Sequence, residues 1–184
     1  MDWLMFSYLG FIFLYRLGQF YAIIKAHNLY KPDYSGDWHL ALVWVPMLLA
    51  VIGAPYEYFI QREMPGIIFI LLGAAFFLSA IVLRSKSLAD LTQEYIAFED
   101  KNAKYQLFSQ GIFRYVRHPL YLANILLMIA CSLFFGSLFA GLITVMGVGG
   151  VIMKINLEEK VLEQEYAIFA DYRKKTYRLI PKIF

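Results

Sequence analysis

The chain has 184 residues, of which 60% are hydrophobic, 18% aromatic and only 17% charged. A soluble domain is nearer about 45–50% apolar and about 25% charged, so the composition excludes an ordinary water-soluble protein and describes a single integral membrane domain, residues 1–184. The formal charge of +3 is a mild excess. It suits basic loops on the cytoplasmic side of a bilayer better than a nucleic-acid surface.

The fold class expected is all-α and polytopic, with about five transmembrane helices. The first apolar segment runs from Trp3 to Ile24. It lacks a basic n-region and is too long for a cleaved leader, so it reads as a membrane span. Arg16 and Gln19 interrupt it one turn apart, either as functional intramembrane groups or, for Arg16, as a snorkelling side chain. The second segment, Leu40–Ile60, carries Pro46 and Pro55 as kink sites, with His39 and Glu57 at its ends as interfacial residues. The third runs from Gly66 to Leu83 and completes an N-terminal half of three spans, residues 1–83.

Residues 85–118 are polar but patterned, with Leu88, Leu91, Tyr95 and Phe98 at helical spacing. The fourth segment, Leu120–Phe135, and the fifth, Leu138–Met153, are separated only by Gly136 and Ser137, which predicts a tight helical hairpin. Gly141, Gly147, Gly149 and Gly150 suit close helix approach. Continuously apolar runs of this kind are helices; a barrel would need alternating strands. Residues 154–173 continue the fifth helix out of the membrane, with Val161, Leu162, Tyr166, Phe169 and Tyr172 as an apolar stripe. The two amphipathic pieces are expected to fold back on the helix ends and close a pocket in the 84–184 half.

Basic residues choose the orientation. Lys25, Lys31, Arg84, Lys86, Lys101, Lys104, Arg114, Arg117 and the cluster from Arg173 to Lys182 fall on one side, and Arg62 is the only basic residue of the other. The first side is expected to be cytoplasmic, with the N-terminus outside and the C-terminus inside. Cys131, the one cysteine, permits no intrachain disulfide or thiolate cluster and reads as a small buried hydrophobe. His27, His39 and His118 show no metal-ligand spacing, so no metal is expected.

Three groups of residues have the chemistry of a site. In Arg117-His118-Pro119-Leu120-Tyr121, Pro119 suits the first position of a helix and His118 its cap, and the free N–H groups of that turn attract anions. The same pattern also marks an ordinary membrane boundary. Glu158-Glu159 follow Lys154 by one turn; they are either solvated, with a routine Lys154–Glu158 bridge, or neighbours of His118 across the hairpin. Tyr172 and Arg178-Leu179-Ile180-Pro181 end the chain as a basic tail of the kind that binds membrane surfaces.

The run G-I-F-R-Y-V-R-H-P-L-Y-L, a short hairpin, then E-E-K-V-L-E-Q-E-Y-A-I-F-A-D-Y and R-L-I-P, resembles the isoprenylcysteine carboxyl methyltransferases and their phospholipid-methyltransferase relatives over residues 105–181. The resemblance implies a membrane methyltransferase using S-adenosylmethionine from the cytoplasmic side, on a lipophilic acceptor that arrives through the bilayer. It implies cofactor contacts at His118, Pro119, Leu120, Tyr121 and Glu158, and at Tyr105, Gln106, Leu107 and Phe108 by their spacing from Gly111. The chemistry of such a transfer asks for a cation such as Lys154 or Arg178 to hold an acceptor carboxylate, and for Glu159 or His118 to assist an amine or thiol acceptor that must lose a proton. Carboxyl O-methylation of an isoprenylcysteine-like substrate is the leading expectation, phospholipid N-methylation an alternative. The chain departs from the family in having Ala123 for a common glycine, Phe113 for a common tyrosine and Lys154 for an arginine, which keeps charge but not the bidentate fork. Two other classes stay open. One is an NADPH-dependent sterol- or steroid-type reductase, against which stands the acid in K-I-N-L-E-E; the other is a non-enzymatic lipid-binding scaffold.

Overall fold

A computed structural model of the chain describes residues 2–26, 38–61, 63–98, 111–165 and 169–181. The elements are α1 (Asp2–Ala26), α2 (Ala41–Gln61), α3 (Ile67–Phe98), α4 (Pro119–Phe135), α5 (Leu138–Glu165) and α6 (Phe169–Lys175), with single 3-10 turns at Trp38–Leu40 and Gly111–Arg114. The all-α membrane architecture expected from the composition is the one adopted. Three stretches, Ala41–Gln61, Ile67–Asp90 and Leu138–Gln164, are long and apolar enough to cross a membrane, and shorter apolar helical stretches occupy Trp3–Leu17 and Pro119–Phe135.

Hydropathy separates a third span from an amphipathic piece beginning at residue 85. The structure instead has one continuous 32-residue helix, α3. No proline or glycine stands between Leu83 and Phe98 to break it, and serines at 85 and 87 interrupt only the hydropathy. Residues 99–110, the rest of that piece, lie outside the described residues.

α4 is the centre of the bundle. It packs against α2, α3 and α5, while α1 lies along α3 and α2 along α5. Its residues Ala123, Leu127, Met128, Ala130, Cys131 and Phe134 are all buried. The outward faces carry Phe6, Ile52, Ile68 and Val145, apolar side chains turned toward lipid. Small residues set the closest approaches, as membrane packing requires. A Cβ on Gly73 would lie 2.6 Å from the Phe134 backbone, and one on Gly150 2.5 Å from the Leu42 carbonyl. Gly147 faces Met128 and Pro46, and Gly141 faces Ser132, but Gly149 faces open space and makes no helix contact.

The hairpin turn is built by local chemistry. Gly136 takes a left-handed conformation (φ 62°), and its N–H donates to the Leu133 carbonyl at 3.0 Å. The Ser137 N–H donates to Ser132 at 2.9 Å. Ser137 then caps α5 by accepting from Ala140 N–H at 3.0 Å. Its own hydroxyl donates to Glu57, which also accepts from Phe139 N–H at 3.2 Å. Glu57 therefore ties the end of α2 to the start of α5.

The same turn aligns the other ends. α4 has 17 residues and α5 has 28. At about 1.5 Å per residue, α4 spans roughly 25 Å, short of the ~30 Å hydrocarbon core. Lys154 is the 17th residue of α5 and stands level with Pro119. The charged turn of α5 that follows thus passes the mouth of α4.

Candidate functional site

At that mouth the segment 115–118 meets the C-terminal tail. Val116 and Tyr177 form a parallel bridge. Arg117 N–H donates to the Tyr177 carbonyl at 2.7 Å, His118 N–H to that of Arg178 at 3.0 Å, and Tyr177 N–H to that of Tyr115 at 2.9 Å. Tyr172 on α6 donates its hydroxyl to the Phe113 carbonyl at 2.7 Å. Leu179 and Val116 are buried beneath. The tail, expected as a surface-binding basic segment, is docked into the mouth, because it satisfies backbone groups that a two-residue approach to α4 leaves unpaired.

Beneath this bridge the adjacent glutamates separate into two environments. Glu159 is 3% exposed. Its Oε1 accepts from Arg117 Nε at 2.8 Å, and His118 Nε2 lies 3.3 Å from the same oxygen. Its Oε2 accepts from Arg178, Nη2 at 2.8 Å and Nε at 3.0 Å. Arg117, also buried, donates through Nη1 to the carbonyls of Thr176 and Arg173 and to the Thr176 hydroxyl. One carboxylate thus joins α5, the start of α4 and the tail.

Glu158 is one-third exposed. Its Oε1 accepts from the Tyr121 hydroxyl at 2.6 Å and from Lys154 Nζ at 3.4 Å. Its Oε2 has His118 Nδ1 at 3.7 Å, too long for a good hydrogen bond. The Lys154–Glu158 pair is more than a surface bridge, since Lys154 is 5% exposed. The rings of His118 and Tyr121 stack at 5.8 Å. His118 caps α4 with no side-chain bond to the helix, and Pro119 opens it, so the N-terminal turn of α4 points into this mouth.

The structure therefore brings Lys154, Glu158, Glu159, Arg178, His118, Pro119, Leu120 and Tyr121 together at one helix mouth. Tyr105, Gln106, Leu107 and Phe108 lie outside the described residues. Asp90 on α3 accepts from Ile112 N–H at 2.7 Å beside Gly111 (φ 54°), where a Cβ would lie 2.3 Å from its carboxylate, and so fixes the return of the chain after them.

Of the polar pair in α1, Arg16 is exposed with its guanidinium 5.9 Å from the Trp44 ring, and the Gln19 side chain is outside what is described. A neighbouring residue of α1, Tyr15, is the one buried beside Arg84 and Asn124. Sequence reasoning passed over this group. Its one signal is an amide in the apolar run 120–135 together with an arginine directly after the run that ends at Leu83.

A family model described as phospholipid methyltransferase matches residues 68–168, more than half of the chain. The match extends from the first turn of α3 across the hairpin and the Glu158-Glu159 turn. The chain matches no curated protein and no solved structure.

Proposed function

Because the chain belongs to the phospholipid methyltransferase family and is on that ground a membrane methyltransferase, we propose that its methyl donor is S-adenosylmethionine, held at the mouth of α4. When bound, that cofactor supplies an electrophilic methyl group on a sulfonium. The observation that carries the reading is the unequal use of the two glutamates. Glu159 is spent on two guanidinium groups, while Glu158 keeps an oxygen within reach of a ligand's amine or hydroxyl. Tyr121 and Lys154 hold the Glu158 carboxylate in place. The N-terminus of α4 suits a carboxylate, and the His118 ring lines the same mouth.

Methyl transfer needs chiefly alignment of nucleophile, methyl and leaving sulfur. The acceptor is a lipid-borne group presented through the bilayer. For the carboxylate of an isoprenylcysteine-like substrate, no proton is removed and Lys154 supplies the counter-charge. The family's description favours a second acceptor, a phospholipid amine, whose proton must leave before it attacks; His118 is the acceptor of that proton. Glu159 and Arg178 act as positioning residues. The mouth faces the cytoplasm and the N-terminus the other side, as the basic residues favour.

The test is calorimetric binding of S-adenosylmethionine, S-adenosylhomocysteine and NADPH to the full chain in detergent, alongside Glu158→Ala and His118→Ala. Both adenosyl ligands bind the wild type, and Glu158→Ala weakens them about tenfold or more, the loss of one charge-assisted hydrogen bond. NADPH binding alone would move the chain to the reductases. Folded protein that binds none of the three would leave a non-enzymatic lipid-binding role.

A further inference from the structure

Arg84 follows the apolar part of α3 and is 7% exposed. Its Nη1 donates to the Tyr15 hydroxyl oxygen at 3.2 Å and to Asn124 Oδ1 at 3.1 Å, and Tyr15 itself donates to Asn124 Oδ1 at 2.7 Å. The guanidinium carbon sits 4.7 Å from the centre of the Tyr15 ring. These partners are neutral, and all use one nitrogen or the ring face. Nε is buried with no hydrogen-bond partner, and among the described residues no carboxylate lies within ion-pair distance of Arg84. Ser87, the buried hydroxyl one turn along α3, donates to the Leu83 carbonyl at 2.6 Å and is spent.

A buried cation with neutral partners is costly, and the cost falls when an anion joins it. The unpartnered side has a definite shape. Nε–H and one Nη2–H lie parallel on one edge of the planar group, the fork that takes two oxygens of a phosphate or carboxylate. Asn124, which orients Arg84, is three residues along α4 from Tyr121, which holds Glu158. Residues at this spacing share a helix face, about 4.5 Å apart along the axis.

The geometry points to an oxyanion subsite on the Nε edge of Arg84, which holds the phosphate or carboxylate of the methyl acceptor one helical turn inside the Tyr121–Glu158 mouth. The identity of the ligand as methyl acceptor rests on the proposed methyltransferase activity; the binding of an oxyanion does not. A phosphate at Arg84 leaves a headgroup amine, a short carbon bridge away, free to reach the mouth. A carboxylate held there would itself be the nucleophile or sit beside it. Arg84 thereby sets acceptor specificity and does no proton chemistry.

The test uses the full chain in uncharged micelles, with the arginine Nε–H groups followed by nitrogen-15 NMR and affinities by calorimetry. The probes are a short-chain phosphatidylethanolamine, S-farnesyl-N-acetylcysteine, their uncharged counterparts (a short-chain diacylglycerol and the cysteine methyl ester), and inorganic phosphate. One of the two lipid oxyanions shifts the Arg84 Nε–H and binds about tenfold or more tighter than its uncharged counterpart, and Arg84→Met abolishes that preference while adenosylhomocysteine affinity is unchanged. Arg84→Lys retains part of it. The probe that shifts the signal identifies phosphate or carboxylate as the group read. A preference that survives Arg84→Met, or a wild-type Nε–H moved by neither lipid, overturns the subsite, as does a response to inorganic phosphate alone. The wild-type shift stands as a test even if Arg84→Met fails to fold. Oxyanion binding without adenosylhomocysteine binding keeps the subsite and refutes the methyltransferase reading of the mouth; the reverse pattern refutes only the subsite.

Discussion

The Arg117 side chain and Arg84 are each more than nine-tenths buried in the same half of the bundle, yet their surroundings differ in kind. Arg117 has a carboxylate, two carbonyls and a hydroxyl around it, and Arg178 shares that carboxylate. Arg84 has a phenol and an amide on one nitrogen and nothing on Nε. The first arrangement has its charge paired without a ligand and joins three segments of chain. The second is incomplete in charge and in hydrogen bonds. A paired carboxylate marks the structural arginine, and a buried Nε without a partner marks the arginine awaiting a ligand.

The largest effect should come from breaking the complete lattice. Glu159→Ala strands two guanidinium groups, one of them buried, and removing one partner of a buried pair typically costs about 3–5 kcal/mol. Thermal unfolding of the detergent-purified variant is expected to fall sharply, with protease cleavage of the tail after α6. Unchanged unfolding would mean that the lattice carries little of the mouth's stability.

A smaller loss is expected from Tyr172→Phe, which removes only the hydroxyl that meets the Phe113 carbonyl. One hydrogen bond of this kind contributes about 1 kcal/mol, so the midpoint should shift modestly while adenosylhomocysteine still binds. A drop as large as that of Glu159→Ala would show that α6, not the Glu159 lattice, anchors the tail.

The smallest loss of stability should follow Arg84→Met, although the site there is just as buried. Replacing an uncompensated buried cation with an apolar chain of similar length is neutral or stabilising, by at most ~1–4 kcal/mol. The midpoint is expected to hold or rise while acceptor discrimination is lost. A marked fall would make Arg84 a structural tie between α1, α3 and α4 and erase its contrast with Arg117.

Much of this molecule is written in local features of its sequence. Continuously apolar runs can bury their backbone only as helices, and Gly136-Ser137 can make only a tight turn, so the helices and the hairpin follow directly. The register across the hairpin follows too, because counting equal distances from the turn sets Lys154 and the Glu158-Glu159 turn beside His118 and Pro119. The continuation of α3 past Leu83 was hidden only because hydropathy changes there while helix propensity does not.

The rotation of each helix was not legible, and the reason is the solvent. Lipid is as apolar as the core, so a membrane helix carries little periodic signal to tell its inward face from its outward one. Composition could not say that Tyr15 and Arg84 turn inward while Arg16 meets the Trp44 face. Nor could it say which of two adjacent glutamates would be buried, since consecutive residues on a helix point about 100° apart and only the neighbours decide between them. The docking of Tyr177 and Arg178 beside Tyr115–His118 joins segments some sixty residues apart through backbone hydrogen bonds, which any residue can make. Those choices depend on which surfaces meet, and they were made only when the helices packed around α4.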